Sequence, residues 1–450
     1  MTRTLIRTHA ILTMDAGDRF LPGGAVLVEG NTIAGVLTAA ELAAQPPASD
    51  AVIDARMLVL IPGFIQTHIH LCQTLFRGLA EDLELLDWLQ HRIFPFEAAH
   101  SASSMYASAR IGIAELLRGG TTTIMDMGSV HHEEEVVRAL TESGMRAFAG
   151  KAMMDVNTAF PPLKEPTAES LRSTLEQAHQ WHGSAGGRIR YAVAPRFVLS
   201  CSDALLRDAY AMTADFPGML FHTHASENRH EMEAVRARCA MDNVAYFNHL
   251  GILHENTCLA HCIWVNDDEV SMMREHNAAV LHCPSSNLKL GSGIADVPHF
   301  MEQGIRVSLG ADGAPCNNRL DMFREMHLAA LIQKPGYGPR AMPARTVLRM
   351  ATAGGAAALG IGGETGSIVA GKRADLQLLD LNSAWSAPAP ATQDALASAI
   401  VHSCTPGNVH SVMIDGAWVY RGHEHTTLDV QRAVAEARTE LDALLTRVVP

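Results

Sequence analysis

In the middle of the chain, apolar runs of strand length keep returning, each followed by a stretch with helical spacing. They are "VLIPGFIQTHIH" (59–70), "TTTIMDM" (121–127), "RAFAGKAMM" (146–154), "IRYAVAPR" (189–196), "GMLFHTHAS" (218–226), "TCLAHCIWV" (257–265), "AAVLHCPSS" (278–286) and "RVSLGADG" (306–313). An unbroken apolar strand needs cover on both faces, and strands alternating with helices supply it as a parallel sheet. Eight such units predict an α/β fold, a (β/α)8 TIM barrel. The competing arrangement, an open doubly wound sheet, calls for a Gly-rich turn after its first strand. The chain has none there.

The two ends read differently. "TLIRTHAILTMD", "AVLVEGNTIAGV" and "VIDARMLVL" are short β-branched runs, with Gly30-Asn31 at a hairpin turn. "ADLQLLDL" and "SVMIDGAWVYRG" repeat the style near the C-terminus, the second folding back at Asp415-Gly416. The ends are therefore expected to pair as a small β-sandwich domain, residues 1–58 and 364–425. Residues 59–363 are the expected barrel and 426–450 a closing helix. The proline-rich segment 155–170 is expected as a long loop over the barrel mouth, and "SAPAPAT" (386–392) as a surface connection.

Apolar residues make up 48% of the 450, enough for a sizeable core. The formal net charge of −13 argues against a nucleic-acid or anionic-membrane partner, which usually leaves a basic patch. It suits an enzyme acting on a neutral or cationic small substrate. No apolar stretch reaches membrane-spanning length. The eight cysteines form no Cys-x-x-Cys pair and sit mostly in apolar runs, as in a reducing compartment. "MTRTLIRTHAILTMD" lacks the apolar core of a signal peptide, so the cytoplasm is the expected location.

Catalytic groups of a (β/α)8 barrel collect at the C-terminal strand ends. The expected ends carry His68 and His70, Arg196, then His222, His224 and nearby Glu227, then His261, His282 and Asp312. Residues i and i+2 of a strand share a face, so His68 and His70 point the same way. One histidine among 23 is more often a surface or core residue than a ligand. Several at successive strand ends, joined by an aspartate, point to a metal. Neutral imidazoles plus one carboxylate suit zinc, or iron, and a position left open for water makes the site catalytic. His222 faces as His224 does but lies deeper, and reads as a core residue.

The segments "PGFIQTHIH", "HTHASE", "LAHC", "HCPSSNLKLGSG", "LGADGAPCNN" and "GSIVAGKRADLQLLDL" resemble the amidohydrolase superfamily, over essentially the whole chain. The resemblance is to its ring-deaminating branch, which holds deaminases of S-adenosylhomocysteine, methylthioadenosine, 5′-deoxyadenosine and guanine, and the s-triazine hydrolases. The 5′-deoxyadenosine type is nearest. The resemblance implies His68, His70, His224 and Asp312 as metal ligands. It places His261 where relatives hold the metal-bound water, and Glu227 where they keep a proton-shuttling glutamate. Binuclear relatives bridge two metals with a carbamylated lysine at the end of strand four. Here that strand ends "YAVAPR", so one divalent metal is implied, zinc before iron. Lys151, on strand three, reads as structural. Relatives form dimers or larger assemblies, which implies a homo-oligomer.

The chemistry fits these residue types. A bound metal lowers the pKa of water by about eight units. Asp312 can take the released proton and later pass it to the departing amine, while His261 orients the nucleophile. Glu227 can protonate the ring nitrogen, provided burial keeps it protonated near neutrality. The expected activity is hydrolytic deamination of an aminated N-heteroaromatic ring, with release of ammonia.

Gln73 and Arg196 offer an acceptor and donors to a purine edge. Guanine deaminase shows that pair, whereas nucleoside deaminases often carry a histidine at the position of Arg196. "LFRGLAEDLELLDWL", which contains Trp88, and "IFPFEAAH" resemble the adenosine type, with Glu97 matching the glutamate that holds a ribose. His282 is a candidate contact to ring or sugar. Adenine nucleosides modified at the 5′ position are the first expectation. Guanine, pterin and triazine substrates, including displacement of triazine chloride, are the alternative. A catalytically silent scaffold would show a gap among Glu227, His261 and Asp312, and there is none. "HHEEE" (131–135) reads as the acidic start of a helix, answering its dipole. "GSIVAGKR" (366–373) has phosphate-loop spacing but lacks the Ser or Thr and the following helix. No Pro-Cys-x-x-Cys run of the cytidine-deaminase type occurs.

Overall fold

The computed structural model describes residues 2–157 and 160–448. Thr158 and Ala159 of the expected mouth loop, and the last two residues of the segment expected to close the chain, lie outside them. Eight parallel strands form a barrel: Phe64–His70, Thr121–Met127, Arg146–Gly150, Ile189–Pro195, Leu220–Ala225, Thr257–His261, Ala279–His282 and Arg306–Leu309. They neighbour one another in chain order. Strand eight breaks after Leu309 and resumes as Asp312–Gly313, which pairs in parallel with Ile69 and His70 of strand one and closes the ring. Every residue of strands one, two, three, six and seven is buried. This is the two-sided cover that their unbroken apolar sequences demand.

The run 59–70 is not the single strand its pattern predicts. Ala51–Pro62 pairs with Arg3–Leu12 and Leu376–Leu379 in the sheet of the chain ends, and only Phe64–His70 enters the barrel. Gly63 divides them at a point where a Cβ would collide with the Thr122 side chain. Both halves are apolar because both are buried, so composition alone does not show the break.

The chain ends combine in one nine-stranded mixed sheet. Ile6, Ile11, Val26, Ile33, Leu60, Leu376 and Met413 share its apolar core. Both expected hairpins are present. In the second, Asp415 and Gly416 have φ of 52° and 77°, the two left-handed residues that a tight turn between twisted strands requires.

The chain packs as two compact units. One holds residues 1–66, 114–123 and 321–428, the other 67–113, 124–320 and 429–450. In the second unit, the helix Val430–Leu445 packs Ala437 and Leu444 against Leu75, Phe76, Phe96 and Ala99. Its Glu436 also pairs with Arg110. The helix thus braces the segment that carries Gln73, Trp88 and Glu97.

Two smaller expectations change. Segment 155–170 is shorter as a loop than its prolines suggest: it holds a turn at Pro161–Leu163, and the helix Thr167–Trp181 starts within it. Lys151 pins this segment, its Nζ donating to Glu165 Oε2 at 2.5 Å and Ser173 Oγ at 2.9 Å. Glu133, which opens the helix Glu133–Ser143, is not a solvated charge answering the dipole. It is buried, with no partner for either carboxyl oxygen, and burial followed by nearby Asp126 pushes its pKa well up.

Gly310, in the break of strand eight, lies against strand one. A Cβ there would stand 2.7 Å from the carbonyl oxygen and 2.8 Å from the nitrogen of His68. Neither backbone atom can swing aside. Gly310→Ala is expected to cost about 1–3 kcal/mol, as overpacking does, and to loosen the seat of His68. Thermal unfolding checks this, and an unchanged melting temperature would refute it.

Candidate active site

Strand alternation turns His68 and His70 into the barrel mouth, with ring centroids 4.9 Å apart. Strand five adds His224 and strand eight Asp312. The ligating atoms of these four residues all lie within 4.8 Å of one another. Asp312 Oδ1 is 3.3 Å from Nε2 of both His68 and His70, and the Nε2 atoms of His70 and His224 are 3.3 Å apart. His68 Nε2 is buried without a hydrogen-bond partner. Three imidazoles aiming the same nitrogen at one carboxylate form the donor set of a divalent metal.

The other ring nitrogens fix the tautomers. His70 Nδ1 donates to the Met127 carbonyl at 2.7 Å and His224 Nδ1 to the Arg196 carbonyl at 2.7 Å. His68 Nδ1 meets His222 Nε2 at 2.8 Å. The Nε2 atoms of His70 and His224 are thereby left as lone-pair donors. Burial pushes His70 down to about 4, and lowers His68, His222 and His224 as well. The neutral, ligand-competent imidazole is therefore the stable form.

Glu227 and Asp312 are driven in opposite directions. Burial, then the charges of Asp312 and Glu231, push Glu227 well above the usual carboxylate range. Burial also works against the charge on Asp312, but the facing imidazoles of His68, His70 and His261 outweigh it and hold Asp312 well below that range. Its Oδ2 accepts from Ser286 Oγ at 2.7 Å. His261 Nε2 stands 3.5 Å from Glu227 Oε2 and 3.9 Å from Asp312 Oδ2, and its Nδ1 is held by Asn287 Oδ1 at 2.8 Å. Ser226, His261 and Asp312 have φ of 54°, 74° and 61°. Such left-handed residues with side chains carry strain, which concentrates at functional sites.

A cavity opens on this centre, lined by His70, Gln73, Trp88, Arg196, Glu227 and Asp312, with Leu85, Leu89 and Phe197 as an apolar wall. Glu97 is not on the wall but behind it. Arg196 donates through Nη1 to Glu97 Oε2 at 2.7 Å and through Nη2 to Oε1 at 3.0 Å, and Gln73 Nε2 donates to Oε1 at 2.8 Å. Burial disfavours both charges, yet the pairing wins: it holds Glu97 below its usual range and Arg196 above. Gln73 Oε1 remains without a partner. His282 is also off the wall. It is buried, both ring nitrogens lack partners, and burial pushes its pKa down to about 3.

Four residues around the site escape the sequence pattern. His222 backs His68 rather than filling the core passively. Ser286 and Asn287 reach Asp312 and His261 from the short helix Pro284–Lys289. Glu231 Oε2 accepts from the Glu227 amide at 2.7 Å. Only Glu231 had a local signal, the capping box it forms with Asn228.

Residues 59–419 match the amidohydrolase family. The chain is 38% identical over 421 residues to a 5′-deoxyadenosine deaminase of Methanothermobacter thermautotrophicus, covering 92% of this chain and 93% of the relative. It is 36% identical over 438 residues to a 5-methylthioadenosine/S-adenosylhomocysteine deaminase of Syntrophomonas wolfei, covering 97% and 98%. The crystal structure of an adenosine deaminase from Xanthomonas campestris with bound zinc aligns over 98% of both chains, with a TM-score of 0.91 and 30% identity.

The depressed histidines set a pH dependence. His70 and His100 are held at about 4 and His282 at about 3, against an ordinary 6.5. On acidification the unfolded chain takes up these protons first. The contribution of these histidines to the stability of the metal-free protein is therefore expected to be level above pH 6.5 and to fall between 6.5 and 4, by up to about 1.4 kcal/mol per pH unit for each histidine, while the buried carboxyls Glu133 and Glu227, whose pKa is raised, act in the opposite sense. Denaturant unfolding of the chelated protein and of its His282→Gln variant at several pH values checks this, and a difference between the two that stays constant through that window would contradict it.

Proposed function

The chain belongs to the amidohydrolase family, and from that premise we propose that it is a hydrolytic deaminase of adenine nucleosides modified at the 5′ position. In this reading it works with one zinc ion, as a cytoplasmic homo-oligomer. The observation that carries the proposal is the pairing of Glu227, a buried carboxyl kept protonated, with the His68, His70, His224 and Asp312 cluster on one cavity. Relatives over nearly the full chain act, by their names, on adenosine derivatives. Guanine, pterin and triazine substrates are not favoured.

A divalent metal held by His68, His70, His224 and Asp312 supplies a Lewis acid that acidifies water. The protein's own groups do the rest. Asp312, charged at neutral pH, accepts the proton of the attacking water. His261 stands between Asp312 and Glu227 and orients the oxygen that adds to C6 of the adenine. Glu227 gives its proton to N1 as C6 becomes tetrahedral, so no bare charge builds on the ring. Asp312 then hands its proton to the amino group, and the C–N bond breaks. Glu227 recovers a proton from the new hydroxyl, leaving the 6-oxopurine and ammonia. Gln73 and Arg196 face the purine edge with an acceptor and donors. Glu97 acts through them, holding both side chains in place, and Trp88 supplies cavity wall. His282, away from the wall, is left out of the substrate set.

Ammonia release from 5′-deoxyadenosine, 5′-methylthioadenosine, guanine and melamine tests the reading. The two nucleosides are expected to be deaminated. Turnover of guanine with neither nucleoside would replace the proposal with the purine-base alternative. Glu227→Gln is expected to keep its metal and lose about 10²–10⁴-fold in kcat, the usual share of a general acid. Unchanged turnover would remove Glu227 from the mechanism.

A further inference from the structure

We infer that the 5′ end of the nucleoside occupies a second, uncharged chamber, and that the protein selects small neutral 5′ substituents over the zwitterionic amino-acid chain of S-adenosylhomocysteine. The inference rests on the adenine-nucleoside reading above. The chamber, open to solvent on one side, is lined chiefly by Leu86, Leu89, Phe94, Asn157, Phe197 and Leu199. Leu89 and Phe197 also line the ring cavity, so the chamber adjoins it across a shared apolar wall. A nucleoside whose base lies in the first space has this chamber as a neighbour for its far end.

The helix between residues 85 and 98 serves both spaces. It runs as Leu85–Trp88, a π turn at Leu89–Ile93, and Phe94–Ala98. Leu85 and Trp88 line the ring cavity, Leu86 and Phe94 the chamber, and Leu89 both. A π turn widens the helix locally and is frequent at functional sites.

Among the described residues lining the chamber, none carries a charge, and its polar members are Gln90, Asn157 and Ser200. The ring cavity does not make up the deficit. Its one cation, Arg196, is bound at both ends of its fork by Glu97. Its carboxyl members, Glu227, Glu231 and Asp312, offer an anion no cation either. A substrate carboxylate placed here would lose water and gain no cation, which is costly. The discrimination is by charge: the lining offers a carboxylate no cationic partner. A 5′ hydrogen or methylthio group meets no such penalty and gains apolar contact.

The test is a comparison of kcat/KM for 5′-deoxyadenosine, 5′-methylthioadenosine and S-adenosylhomocysteine with the metal-loaded enzyme. 5′-Methylthioadenosine is expected to exceed S-adenosylhomocysteine by about 100-fold, the scale of an unpaired charge partly desolvated. Gln90 is exposed at the lip of the chamber. Gln90→Arg is expected to raise the S-adenosylhomocysteine to 5′-methylthioadenosine ratio about tenfold. Equal turnover of the two substrates, or a ratio unmoved by the arginine, overturns the chamber assignment and leaves the nucleoside reading standing. Failure to deaminate any nucleoside, with guanine turned over, overturns the nucleoside reading itself.

Discussion

Three imidazoles, those of His68 and His70 buried and that of His224 half-buried, and a carboxylate aimed at one point are unstable company unless the imidazoles stay neutral and something accepts their lone pairs. Most of the barrel mouth is organised around that requirement. His70 and His224 give their second nitrogen to backbone carbonyls of Met127 and Arg196, and His68 rests on His222. Burial removes the protonated forms. The closure of strand eight on strand one through Asp312–Gly313 brings the carboxylate to the histidines. The cluster and the closed barrel are thus one feature: a slip in that pairing would take the carboxylate away from its partners.

The same burial has opposite consequences for two acids. Asp312 faces imidazoles and keeps its charge, while Glu227 faces Asp312 and Glu231 and keeps its proton. A base and an acid therefore coexist in one cavity at one pH, set by neighbours rather than by residue type. His261 is the short bridge between them, and Asn287 fixes its ring. The left-handed backbone at Ser226, His261 and Asp312 belongs to this arrangement, since it lets strand ends present side chains that regular strands would point elsewhere.

The cavity wall is braced one layer further out. Glu97 pairs with Arg196 and Gln73 instead of reaching the cavity. A bidentate buried pair is rigid, so the polar edge that Arg196 and Gln73 present to the cavity is set in advance. The helix Val430–Leu445 supports that layer by packing against Leu75, Phe76 and Phe96. A segment at the end of the chain thereby steadies residues near its beginning.

The sequence alone determined the eight strands, the sheet made from both chain ends, the hairpin at Asp415-Gly416, and the gathering of histidines and Asp312 at strand ends, while the choice of His68, His70, His224 and Asp312 among them came from the family resemblance. These follow from local period, from turn chemistry and from motifs that keep fixed spacing, none of which needs long-range distances. Tertiary structure alone decided that the apolar run 59–70 splits at Gly63, because burial in either of two sheets leaves the same pattern. It also decided that Glu133 is a buried neutral acid, that Glu97 lies behind Arg196, and that His222, Ser286 and Asn287 back the site. A side chain's charge state and its partner depend on what lies across the fold, and residues such as Glu97 and Arg196, 99 positions apart in the chain, carry no local mark of meeting.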